Sequence, residues 1–228
     1  MKQTNDIATI LYALLDTLER LFWDVYLRSV DYSSPIMDDP SESLKRAMHG
    51  LSNLKEYVVM QQLPWTLEPM PWSSTNTLKR LASVNTNLHY KLADTVFQMQ
   101  HLEVLICAYP KLTGTQVVGT PFSRLIKSAN EPLTEIVIVL PDNEAGDFHM
   151  RAALKLVSEV MESEDAKEED ANRDLLRIAN APAGWSGKLV TGLDDVGPWE
   201  QWFLEAVGDG SLWKMERQSW DYYNTGVS

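Results

Sequence analysis

The sequence predicts a mainly α-helical protein: an antiparallel bundle of amphipathic helices over residues 1–110, then a more acidic helical portion over 111–228. Three observations carry that prediction. Apolar residues recur at three- and four-residue spacing over 5–30, Asp39, Pro40 and Glu42 open a second such stretch, and no proline or glycine interrupts 73–109. Spacing of three and four places side chains on one face of a helix.

In the first element, Ile7, Ile10, Leu11, Leu14, Leu15, Leu18, Leu21, Phe22 and Val25 form the apolar stripe. Thr4 or Asn5 supplies an N-cap oxygen for an otherwise orphan backbone N–H. Asp16 with Arg20, and Asp24 with Arg28, form i,i+4 pairs on the solvated face. The second helix starts at Asp39 with proline in the first turn, carries Leu44, Ala47, Met48, Leu51, Leu54 and Val58 inward, and stops before Pro64. The proline-spaced segment that follows holds Trp65 and Trp72, read as a lid folded onto the bundle. Residues 73–109 read as one helix of about 55 Å at 1.5 Å per residue, or as two joined at the poor helix formers of 83–87.

Beyond Pro110, a short helix is expected near 120–126 and others at 146–162 and 171–180. Residues 135–140, E-I-V-I-V-L, fit either a helix or a short buried β-strand of β-branched residues. Residues 181–197 form a Gly- and Pro-rich connector. Pro198 then opens a helix in which Trp199, Trp202, Phe203, Ala206 and Val207 share one face, with Gly208 as its left-handed stop. No internal repeat of 30–45 residues is evident.

The 228 residues carry a net charge of −12, with the acidic excess concentrated beyond residue 110. That balance opposes broad contact with nucleic-acid phosphates and favours a basic protein partner. Cys107 is the single cysteine, which removes intrachain disulfides and cysteine-built zinc sites. Apolar runs such as I-L-Y-A-L-L fall short of the roughly 20 residues of a membrane span, so no membrane role and a cytoplasmic location are expected.

No catalytic constellation appears, no catalytic residue is assigned and no cofactor is expected. G-W-S-G-K-L at 184–189 lacks the spacing of a phosphate loop and of a nucleophile elbow. Asp142, Glu144, Asp147 and His149 form the one cluster with metal-ligand chemistry, a weaker alternative to plain capping of the next helix. L-K-R occurs at 44–46 and 78–80, so Lys45, Arg46, Lys79 and Arg80 would gather into a small basic patch if their helices packed side by side.

The C-terminal stretch holds the strongest binding signal. Trp213, Arg217, Trp220, Tyr222 and Tyr223 are the residue types that dominate protein interfaces. The expected function is therefore a non-enzymatic regulatory, adaptor or assembly protein acting through protein–protein contacts, one version being an acidic inhibitor of a basic nucleic-acid-binding partner. The alternatives are a helical metal-dependent hydrolase or nuclease, and a subunit of a nucleoprotein complex.

Overall fold

The computed structural model describes residues 2–23, 40–60, 77–84, 96, 99–108, 133–140, 175–180 and 198–219. Its centre is a β-sheet rather than a helical bundle. In chain order the elements are α1 (Lys2–Ala13), β1 (Arg20–Trp23), α2 (Pro40–His49), β2 (Glu56–Val59), β3 (Arg80–Val84), β4 (Val104–Ala108), β5 (Glu135–Leu140), β6 (Leu176–Asn180), α3 (Pro198–Asp209), a 3-10 turn (Ser211–Lys214) and β7 (Gln218–Ser219). The strands lie side by side in sequence order, β1 to β7. The first six run parallel and β7 pairs antiparallel with β6.

The all-helical reading fails because leucines three apart occur at strand entrances as well as in helices. Leu18, Leu54, Leu78, Leu102 and Leu133 each stand two residues before the aligned positions Arg20, Glu56, Arg80, Val104 and Glu135. The residues three and five beyond each leucine point to the same side: Leu21 and Trp23, Tyr57 and Val59, Leu81 and Ser83, Leu105 and Cys107, Ile136 and Ile138. A repeated L-x-x-φ-x-φ pattern thus satisfies the three-residue helical step at its start and strand alternation at its end. The expected helix over 5–30 stops at Ala13 and becomes β1. The second stops at His49 and becomes β2. The long helix over 73–109 is replaced by β3 and β4, and the one over 171–180 by β6. Of the two readings of 135–140, the strand is correct.

The strands are also a repeat, hidden by uneven spacing. Their leading leucines lie 36, 24, 24 and 31 residues apart. The same junction recurs each time. The N–H groups of Lys55 and Glu56 donate to the Glu19 carbonyl, those of Lys79 and Arg80 to Lys55, those of Glu103 and Val104 to Lys79, and those of Thr134 and Glu135 to Glu103, at 2.8–3.2 Å. Each unit so hands its backbone to the next, as in solenoids, where a unit contacts chiefly its sequence neighbours.

Two cores follow from burying the strands on both faces, which is why they read as near-continuous apolar runs. On one face Leu54, Tyr57, Leu81, Leu105 and Ile136 pack with Ala8 and Leu11 of α1, Leu44, Ala47 and Met48 of α2, and Val96 and Met99 from the crossover between β3 and β4. On the other, Val58, Ala82, Ile106, Ala108, Val137 and Ala179 meet Trp202, Phe203 and Ala206 of α3 and Leu212. The alanines leave room for the two rings, whose centroids lie 6.3 Å apart at 71°. Of the apolar face expected of the C-terminal helix, Trp202, Phe203 and Ala206 are therefore buried on the chain's own sheet and Val207 packs at its margin, while the side chain of Trp199 lies outside the described set. The helix runs through Gly208, and Gly210, at φ 77°, supplies the left-handed stop. Phe203 is fully buried, a stabilisation of about 1.5–3 kcal/mol for such a side chain.

One sheet takes strands from both sides of residue 110. Among the described residues no helix is long and apolar enough to cross a membrane.

Candidate interaction site: the charged row and the aromatic cap

The strand pattern places one charge just before the apolar positions on nearly every unit. Parallel register then lines these charges up across the sheet. On the α3-covered side of the sheet, Arg20 Nε lies 3.2 Å from Glu56 Oε2 and Arg80 Nη1 lies 2.8 Å from Glu56 Oε1. Glu56, 13% exposed, is bracketed by arginines that are 75% and 42% exposed. One residue earlier, Lys55 Nζ reaches Glu19 at 2.6 Å and Lys79 Nζ reaches Glu103 at 2.6 Å. The hydrogen bond from Lys55, and then its charge, hold the Glu19 carboxyl below the usual range. Opposite charges at neighbouring register positions favour this alignment over a slipped one.

The tail continues the row. Arg80 lies over the Trp213 ring, 5.6 Å from its centroid. Arg217 pairs with Glu135 and donates from Nη2 to the Trp213 carbonyl at 2.8 Å. Its Nε is buried with no partner among the described residues. Burial, and then the nearby positive charge of Arg80, lower the Arg217 pKa. Trp213, half-buried, packs on the α3-covered core.

Among the residues expected to bind a partner, Trp213 and Arg217 are thus engaged with Arg80 and Glu135, while Trp220, Tyr222 and Tyr223 lie outside the described residues. Three of the four basic residues have described side chains. Lys79 pairs with Glu103 and Arg80 with Glu56. Arg46 is exposed on α2, which packs on the opposite side of the sheet from Arg80 and Trp213. The side chain of Lys45 is outside the described set, as are Asp142, Glu144, Asp147 and His149. Among the described residues no group of three or more His, Cys, Asp or Glu could hold a metal ion. Cys107 is fully buried and its thiol is pushed up to about 12 by desolvation, the reverse of an activated nucleophile.

Arg20, Glu56 and Glu135 are not marked as site residues by any local motif in the sequence. The signal that finds them is the alignment of L-E-R-L-F-W, L-K-E-Y-V-V, L-K-R-L-A-S and L-T-E-I-V-I on their leading leucines. In that alignment the charged positions fall into register. What the arrangement can do chemically is recognise: it offers paired charges, a strand edge and an aromatic cap. No protein-family model, curated protein or solved structure matches this chain.

Proposed function

We propose that the chain is a non-enzymatic adaptor or assembly protein that works through protein–protein contacts on a strand-stacked scaffold. The observation that supports this most is the strand order. Among the described residues the parallel strands follow one another in sequence order across the sheet, so these strands form no topological switch point, the place where open α/β sheets form their ligand crevices. Stacked units instead give extended surfaces, which repeat proteins use for binding other proteins. The net charge of −12 favours a basic partner. A cytoplasmic setting agrees with a single, buried, unpaired cysteine.

In this reading the aromatic tail completes the sheet's second core and fixes the scaffold's shape, leaving the exposed charges and the β1 end for partners. The test is isolation of the native protein from its own cells under cross-linking, with stoichiometry measured by mass spectrometry. A defined, stoichiometric protein complex is expected. A free monomer that instead takes up a divalent ion stoichiometrically and hydrolyses a substrate would overturn the proposal.

A further inference from the structure

Among the described residues β1 is the outermost strand at one end of the sheet, and none of them pairs with its outer N–H and C=O groups. Natural sheets normally blunt such an edge, because it templates pairing with another chain. On β1 itself the apolar side chain of Phe22 is 38% exposed.

We infer that the open edge of β1 is a docking site for a β-strand of a partner protein, added in parallel register as a further strand of the sheet. This deepens the adaptor reading and rests on it. The charge pattern specifies the occupant. Glu19 and Arg20 keep 58% and 75% of their side chains exposed, each with one partner on the β2 side, Lys55 and Glu56. An added strand in the same register meets them with a basic residue followed by an acidic one. Apolar residues after those cover Phe22 on one face and extend the leucine core on the other. The required sequence is basic–acidic–apolar–apolar–apolar, which β2 satisfies with Lys55, Glu56, Tyr57, Val58 and Val59. Backbone pairing supplies affinity in such strand addition and the alternate side chains supply specificity.

The probe is a synthetic peptide with the sequence of residues 53–60, fluorescently labelled, titrated with the full chain and followed by anisotropy. A control peptide has the basic and acidic residues interchanged. The native-order peptide is expected to bind saturably, about fivefold tighter than the control, since two exposed charge pairs change sign. The double variant Glu19→Lys/Arg20→Glu should reverse that preference, and Phe22→Asp should abolish binding of both peptides. Both variants alter exposed positions, and unchanged far-UV circular dichroism and thermal midpoint confirm their folding. No saturable binding, or binding indifferent to charge order, overturns the inference. So does sedimentation showing a β1-dependent homodimer that the peptide fails to compete, since the occupant is then a second copy. A native complex that survives Glu19→Lys/Arg20→Glu unchanged removes the edge site and leaves the adaptor reading standing, whereas a free monomer in cells that takes up a divalent ion and hydrolyses a substrate removes the adaptor reading itself.

Discussion

The guanidinium of Arg80 is shared between two parts of the chain: it lies 2.8 Å from Glu56 on the neighbouring strand and 5.6 Å from the Trp213 ring centroid in the tail. One residue thus ties strand register to closure of the second core. A double-mutant cycle with Arg80→Ala and Trp213→Ala, read by urea unfolding, should give a coupling of about 0.5–1 kcal/mol, the range for a partly exposed cation–π pair. A coupling indistinguishable from zero would mean the tail docks through its apolar side chains alone.

Phe203 fills the second core with no exposure, against a face that includes Ala82 and Ala108. Phe203→Ala should cost about 3–5 kcal/mol and raise binding of an apolar dye as the sheet face opens. Ala82→Leu, which intrudes on the same space, should cost about 1–3 kcal/mol. If both were near neutral, the tail could not be the covering of that face.

Glu135→Gln leaves the Arg217 guanidinium, only 13% exposed, without its counter-charge. The expected loss is about 1–3 kcal/mol. Amide exchange should accelerate first at Gln218 and Ser219, which pair with β6. Uniform acceleration throughout the sheet would instead place Glu135 in the global core.

Gly210 holds φ at 77° at the end of α3, where its N–H donates to the Val207 carbonyl at 3.3 Å. A side chain finds open space there, so the penalty is conformational. Gly210→Ala should cost about 1–2 kcal/mol in thermal unfolding, whereas Gly208→Ala, inside the helix, should stabilise slightly.

Alkaline pH should destabilise the fold. Burial raises the Cys107 thiol to about 12 and pushes the Tyr57 phenol well above its ordinary range. The unfolded chain releases these protons from about pH 8.5 and about pH 10 respectively, while the folded chain retains them. The unfolded state then binds fewer protons, so stability falls as pH rises. It should be unaffected by these groups at neutral pH and decline from about pH 8.5 upward. Cys107→Ala should flatten the decline between about pH 8.5 and 10, measured as the urea midpoint against pH. A wild-type midpoint constant to pH 10.5 would contradict the burial of both groups.

How much of this was legible in the sequence differs by segment. The α3 helix and its buried face were readable because Trp202, Phe203 and Ala206 keep helical spacing over a full element bounded by Pro198 and glycine. The start of α2 was readable from proline at its first position, but its end was not. Leu51 and Leu54 continue the three-residue step beyond His49, although the chain has already turned toward β2. In 80–84 and 104–108, Leu81, Ala82, Leu105 and Ile106 are all buried. A strand covered on both faces loses the alternation that would have betrayed it.

The sequence by itself determined where the tail helix forms, the lone buried thiol and the acidic balance, because those depend on composition and on contacts within a few residues; it did not determine which apolar side chains leave water, since Leu14 and Phe22 of the expected stripe stay 37% and 38% exposed. The tertiary structure decided that L-x-x-φ-x-φ segments become strands, since a parallel strand is stable only when its neighbours supply the hydrogen bonds it cannot make alone. It also decided which charges meet. Arg20, Glu56 and Arg80 are 36 and 24 residues apart in the chain. They become neighbours only because the strands stack in register, and with them the sheet acquires its row of paired charges and its open edge.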